Sequence, residues 1–169
     1  MTSKEFYREY EADLIMNPLN HKLVGLIKKE KPFNVLEFGC GKGKHLSFLC
    51  ACVTGGAGGI DLSMINCIFV QENYPAVSIC QGDESRLYLF EDQDIVFTCS
   101  VLCHIENIDE IITEFKRIAT HKIFLAETND IAEPYHYPHD YESYGFKKVS
   151  DAFVSPGNGL TYYIWEWSK

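Results

Sequence analysis

The chain has no Cys-x-x-Cys pair, no block of lysine or arginine, and no apolar run near the roughly eighteen residues of a membrane span. Without paired cysteines, neither a zinc ribbon nor a thioredoxin-type redox site is expected. The seven cysteines (Cys40, Cys50, Cys52, Cys67, Cys80, Cys99 and Cys103) are an odd, scattered set. Several sit inside apolar runs and read as reduced, buried thiols. Lysine and arginine total 15 against 24 acidic residues, giving a net charge of −9 and a pI near 5.1. That balance argues against a nucleic-acid partner, and the lysines at 28, 29 and 31 read as a solvated helix end. The opening MTSKEFYREYE is no signal peptide, so a cytoplasmic location with no membrane partner is expected. Internal repeats and low-complexity segments are also lacking.

What is present suits one compact domain. With 169 residues, 46% of them hydrophobic and 14% aromatic, the chain can bury a full core but is short for two domains. We expect a single domain over 1–169, with an N-terminal helical lid region at 1–32 and a core at 33–169. Phe6, Tyr10 and Leu14 have helical spacing within Ser3 to Ile15, and Met16-Asn17-Pro18 breaks it. Leu19, Leu23, Leu26 and Ile27 form a second helical stripe, closed by Pro32. Tyr7 and Tyr10 are placed to roof a ligand or to pack the first helix down.

From Asn34 the chain alternates strand and helix. NVLEFGCGKG, residues 34–43, reads as a buried strand that ends in glycines at 39, 41 and 43, and an amphipathic segment from Lys44 to Val53 follows. Alternate glycines let backbone approach a ligand closely, and a following helix N-terminus points spare N–H groups at it. Further strands are expected at Gly58–Asp61, Val77–Cys80, Asp94–Thr98 and Lys122–Ala126. Helices are expected at Met64–Glu72 and along the stripe Ile108, Ile111, Ile112, Phe115 and Ile118, the latter capped by Asn107 with Glu110. Repeated βα units imply a parallel sheet covered by helices. Tyr144–Val149 and Leu160–Trp167, joined by a Ser-Pro-Gly-Asn-Gly turn, suggest an antiparallel pair at its edge.

Asp61 closes a strand about twenty residues after the glycine turn, where a carboxylate accepts from two vicinal ribose hydroxyls. Helix capping by Asp61 or Ser63 is the competing reading. The third glycine comes one residue too early for a dinucleotide fingerprint, and Gly43-Lys44-His45 lacks the Ser or Thr of a Walker loop.

Acidic-x-Gly-x-Gly-x-Gly, from Glu37 to Gly43, together with the ordered elements from Asn34 to Glu127, resembles the class I S-adenosylmethionine-dependent methyltransferase superfamily. The resemblance implies an α/β, doubly wound, mostly parallel seven-stranded Rossmann-like sheet with an antiparallel C-terminal strand pair. It also implies S-adenosylmethionine as cofactor, S-adenosylhomocysteine as product, and methyl transfer to a small-molecule acceptor. By that resemblance Glu37 reaches the methionine end, Gly39, Gly41 and the backbone around Cys40 let its carboxypropyl arm pass, and Gly43 belongs to the same cofactor-binding set. Asp61 holds the ribose with Leu62 beside the adenine. Asp83 accepts from the adenine amino group with Glu84 next to it, and Cys99 and Ser100 face the sulfonium. Lys42, the Gly55–Gly59 run and a missing last core helix depart from the pattern.

In methyl transfer the sulfonium supplies the activated carbon, and the protein aligns the partners and removes a proton. His104, after the fourth strand, is the first choice of base, with a structural role as the alternative. His136, His139 and Asp140 form a second cluster in the polar loop, an incomplete ligand set to which no metal is assigned. That loop, with Glu127, Tyr135, Tyr137 and Tyr141, reads as a substrate lid. Phe124 to Tyr141 is also similar to methylases associated with pseudaminic acid and surface-sugar biosynthesis, which implies an O-methylated, sugar-type acceptor. The expected catalytic residues are His104, His136 and His139, and Tyr7, Tyr10, Glu127, Tyr135 and Tyr141 are expected to bind substrate. An S-adenosylmethionine-binding module without transferase activity is the alternative function, a nicotinamide oxidoreductase a distant third, and a monomer or homodimer the expected state.

Overall fold

A computed structural model describes residues 2–130 and 136–169. Helix α1 (Ser3–Arg8) is followed by an extended strap, then α2 (Pro18–Lys29). The core continues as β1 (Asn34–Phe38), α3 (Lys44–Leu49), β2 (Gly56–Asp61), α4 (Met64–Asn73), β3 (Val77–Gln81), β4 (Gln93–Cys99), α5 (Asp109–Ile118) and β5 (Ala119–Thr128). Two short strands, β6 (Lys147–Lys148) and β7 (Phe153–Val154), precede the long β8 (Thr161–Ser168). A 3-10 turn at Leu102–His104 links β4 toward α5.

The sheet has the order β3-β2-β1-β4-β5-β8-β6, with β7 also paired to β8. β1 through β5 are mutually parallel and β8 runs antiparallel to β5. Strand alternation sends Val35, Ile95, Phe97 and Phe124 into one core, where α2, α3 and Val70 of α4 pack. Leu36, Val96, Ile123 and Leu125 enter the opposite core, under α5. Both faces are therefore covered, which is why the parallel strands read as near-continuous apolar runs.

The structure departs from the expected elements in several places. The helix expected from Ser3 to Ile15 stops at Arg8, because a side chain claims the backbone beyond it. Asn66 accepts from the Ala12 N–H at 3.1 Å and donates to the Tyr10 carbonyl at 3.2 Å. The lid expected over 1–32 narrows accordingly to α1 and the strap, since α2 buries Leu23 and Ile27 completely in the sheet's core. Asn107 accepts from the Asp109 N–H at 3.0 Å, so α5 begins later than expected. Among the described residues the sheet has eight strands rather than seven. Hydrogen bonds from Ser155 N to Leu160 O (2.9 Å) and from Gly159 N to Ser155 O (2.8 Å) fold the turn back and lay β7 on β8.

Candidate active site

A cavity of about 520 Å³ opens at the carboxyl ends of β1, β2 and β4. This is where the strand order reverses between β1 and β4, the usual ligand crevice of an open α/β sheet. The α1 strap roofs it. Lys4 pairs with Asp83 (3.1 Å) and with Glu84, Ser3 Oγ donates to the His104 carbonyl at 2.8 Å, and the Tyr7 ring lies 4.6 Å from the His104 ring. Farther along, Glu11 pairs with Lys42 and Asp13 with Lys44.

The floor is the glycine turn. Gly39, Gly41 and Gly43 have φ of +71°, +53° and +73°, conformations that L side chains rarely adopt. A Cβ at Gly39 would stand 2.3 Å from Val101 Cγ2, and one at Gly41 2.8 Å from the Ala12 Cβ. Bare backbone therefore faces the cavity at Gly39 and Gly41, while Gly43 lies outside its lining and caps α3.

Beneath the turn, Glu37 Oε1 lies 2.6 Å from His45 Nδ1, with both side chains at most 2% exposed. Desolvation pulls His45 down, but the Glu37 charge and hydrogen bonds to Cys99 and Glu37 outweigh it and push His45 up to about 10. Burial also raises Glu37, partly offset by His45. His45 therefore keeps its proton at neutral pH. Glu37 Oε2 is buried without a hydrogen-bond partner, and both residues line the cavity. Sequence reasoning missed His45. Its signal was a polar residue one helical turn before Leu49, on the stripe that the strand packs against.

Asp61 ends β2 with its carboxylate held from both sides. Its Oδ2 accepts from Gly41 N at 2.7 Å, and its Oδ1 accepts from Ser63 N (2.9 Å) and Asn66 Nδ2 (3.1 Å). Burial lifts its carboxyl above the ordinary range and these donors pull it back. Four lone pairs against three donors leave acceptor capacity toward the cavity. Asp83 lies across from it, held down to about 2 by the Ser85 hydroxyl and, against some desolvation, by Lys4. Leu62, Glu84, Cys99 and Ser100 complete this part of the wall. Ser100 is strained at φ +58°, and Asn20 Nδ2 donates to Cys99 Sγ at 3.4 Å.

At the far end stand His104, Tyr7, Val101, Ile105, Glu106 and Tyr137. Tyr10 lines the cavity too, although its ring is exposed. The lid-loop residues fare differently. Tyr141, expected to bind substrate, is fully buried against Trp165 at a ring distance of 5.5 Å and is core. Glu127, also assigned to substrate, is fully buried and accepts backbone N–H bonds from Val101, Leu102 and Cys103 at 3.0–3.4 Å. Its role is to hold the turn that carries His104, and burial raises its carboxyl to about 7 against those donors. His139, expected to be catalytic, donates Nε2–H to the carbonyls of Leu102 (3.0 Å) and Ile105 (2.9 Å), tying the loop down away from the cavity wall. His136 meets His104 edge to face at 4.5 Å without lining the cavity. Tyr135 lies outside the described residues.

The sequence model of a methyltransferase domain family matches residues 36–123, more than half of the chain. The chain belongs to that family and is a class I S-adenosylmethionine-dependent methyltransferase. No curated protein sequence matches significantly. Among solved structures, the chain is similar to magnesium protoporphyrin IX methyltransferase from Synechocystis PCC 6803 with bound S-adenosylhomocysteine, with a TM-score of 0.71 and 15% identity over 99% of both chains. A second is 1,6-didemethyltoxoflavin-N1-methyltransferase from Burkholderia thailandensis, with a TM-score of 0.69 and 16% identity over 94% of this chain and 79% of that one. A third is the [4+2]-cyclase SpnF, with a TM-score of 0.69 and 13% identity over 96% of this chain and 86% of that one. At such identities the likeness is one of fold.

Proposed function

We propose that residues 1–169 form one catalytic domain that methylates a hydroxyl of a small, sugar-type acceptor, with S-adenosylmethionine bound in this cavity. The observation that carries the reading is the convergence of Glu37, Gly39, Cys40, Gly41, Asp61, Leu62, Asp83, Glu84, Cys99, Ser100 and His104 on one cavity. In this reading Asp61 takes the ribose hydroxyls, Leu62 and Asp83 flank the adenine, and the Gly39–Gly41 backbone passes the methionine arm toward Glu37. Acidic walls suit a cationic cofactor, whose sulfonium supplies an activated methyl carbon.

The chain's own part is alignment, exclusion of water and proton transfer. The strap closes the top of the cavity, and Val101 and Ile105 keep the far end apolar. His104 stands there with its loop fixed by Glu127 and its ring packed on Tyr7, so its position is set before the acceptor arrives. As general base it accepts the hydroxyl proton while the oxygen takes the methyl. Incubation with labelled S-adenosylmethionine and a panel of hydroxylated sugars tests the reading. Transfer to a hydroxyl that is lost in His104→Ala supports it. Transfer only to nitrogen or carbon acceptors contradicts the assignment of acceptor.

A further inference from the structure

Three residues from two distant segments meet beside the far end of the cavity. Cys103 Sγ and one ring nitrogen each from His104 and His136 lie within 4.8 Å of one another. Cys103 is fully buried, His104 lines the cavity, and His136 is half-buried behind it. Backbone holds the set in place. Cys103 and His104 share one 3-10 turn, whose N–H groups are fixed by the buried Glu127 carboxylate. The loop that brings His136 is pinned by Tyr137 N donating to Cys103 O at 2.7 Å, and Ser3 Oγ holds the His104 carbonyl at 2.8 Å.

One thiolate and two imidazoles are a donor set for a borderline-soft divalent ion. Three protein ligands leave one tetrahedral position open, as in catalytic rather than structural zinc sites. A dication bound to one thiolate keeps a single positive charge, and the Glu127 carboxylate lies against the same turn to balance it. Partners held outside the ligand shell by backbone and carboxylate are what orient such ligands.

We propose that Cys103, His104 and His136 form a zinc site whose open position faces the cavity and takes the acceptor hydroxyl. The inference rests on the methyl-transfer reading above and deepens it, with the ion in place of a free His104 base at the acceptor. Zinc brings the pKa of a coordinated water from 15.7 to about 7, and it acidifies a coordinated hydroxyl in the same sense. The hydroxyl proton leaves to solvent on coordination. The oxygen then forms its bond to the methyl carbon while the sulfur–methyl bond breaks, its electron pair staying on sulfur. In the loaded protein His104 is a ligand, and the ion takes over the acidification of the acceptor.

The test uses the full chain, stripped of metal with a chelator and titrated with Zn²⁺ against a chromophoric indicator, with Co²⁺ in parallel. The proposal predicts one ion per chain and, for cobalt, a thiolate-to-metal charge-transfer band. Cys103→Ser and His136→Ala should each weaken zinc binding at least ~100-fold, the upper end of the effect of losing an outer partner alone. His136 is half-buried, so its variant keeps the test informative if Cys103→Ser fails to fold. Exposed Cys52→Ser should bind zinc as the wild type does. Absence of stoichiometric zinc, binding unchanged in both ligand variants, or a cobalt spectrum without the thiolate band overturns the site. S-adenosylmethionine is titrated into the same samples. Cofactor binding without zinc binding overturns this inference alone, whereas zinc binding without cofactor binding overturns the methyl-transfer reading and with it the acceptor role given to the ion.

Discussion

Glu37 and His45 show how one buried pair can serve both stability and site. The neighbouring carboxylate stabilises the His45 imidazolium, so its folded pKa lies above its ordinary value of 6.5, at about 10. A raised histidine contributes stability that is fully present below its unfolded pKa and is lost as pH rises through the folded one. The wild type should therefore lose this contribution between about pH 6.5 and 10. His45→Gln keeps a donor for Glu37 but no charge. It should be less stable at pH 7 by about 1–3 kcal/mol, the cost of a poorly compensated buried charge, and should lack that pH limb. Denaturant melts of both proteins across this range check the difference. Asp61 acts at the same scale. Asp61→Asn weakens the Gly41 tie and removes the charge proposed to hold the ribose, so S-adenosylmethionine affinity should fall roughly 10- to 100-fold, the worth of one or two charge-assisted hydrogen bonds.

Among the elements, the glycine turn has no room for a side chain where it faces the cavity, whereas α1 is pinned partly by half-exposed ion pairs. Gly39→Ala puts a Cβ against Val101, a β-branched side chain with little rotamer freedom, at a positive φ. Thermal melts should show a loss of about 1–3 kcal/mol, and cofactor binding should be lost with it. Lys4 tells a different story. Its pairs with Asp83 and Glu84 are half-exposed, so each is worth at most about 1 kcal/mol. Lys4→Ala removes both pairs and should change the cofactor off-rate by no more than about thirtyfold at low salt, and the effect should fade as salt is added. A much larger change, measured by stopped-flow fluorescence, would show that the strap is held chiefly by this corner rather than by Ser3, Tyr7 and Asn66 as well.

Over the whole molecule, what the sequence reveals depends on how far apart the determinants lie. The strands at residues 34–38 and 93–99 were legible because parallel strands covered on both faces need unbroken apolar runs. The cavity floor was legible because positive φ demands glycine and because the acidic residue that closes β2 lines the same cavity. The end of α1 was not legible, because the side chain of Asn66 decides it from α4. Tyr141 looked like a lid residue in a polar loop, yet its ring fills the core beside Trp165. His136 lies next to Cys103 because bonds from Tyr137 and His139 tie its loop to a turn far back in the chain. Local pattern carries no trace of such bonds.

The central claim is that this fold binds S-adenosylmethionine between Asp61, Asp83 and the glycine turn. Linkage predicts that ligand at about a hundred times its dissociation constant adds about 2.7 kcal/mol of stability. For a chain of this size that corresponds to a rise in Tm of roughly 5–10 °C. The direct measurement is titration calorimetry with S-adenosylmethionine and S-adenosylhomocysteine on the wild type and Asp61→Asn. The account predicts one-to-one binding of both by the wild type and a 10- to 100-fold weaker interaction, by the estimate above, in the variant. No heat of binding for either ligand at millimolar concentration, or equal binding by wild type and variant, would contradict it.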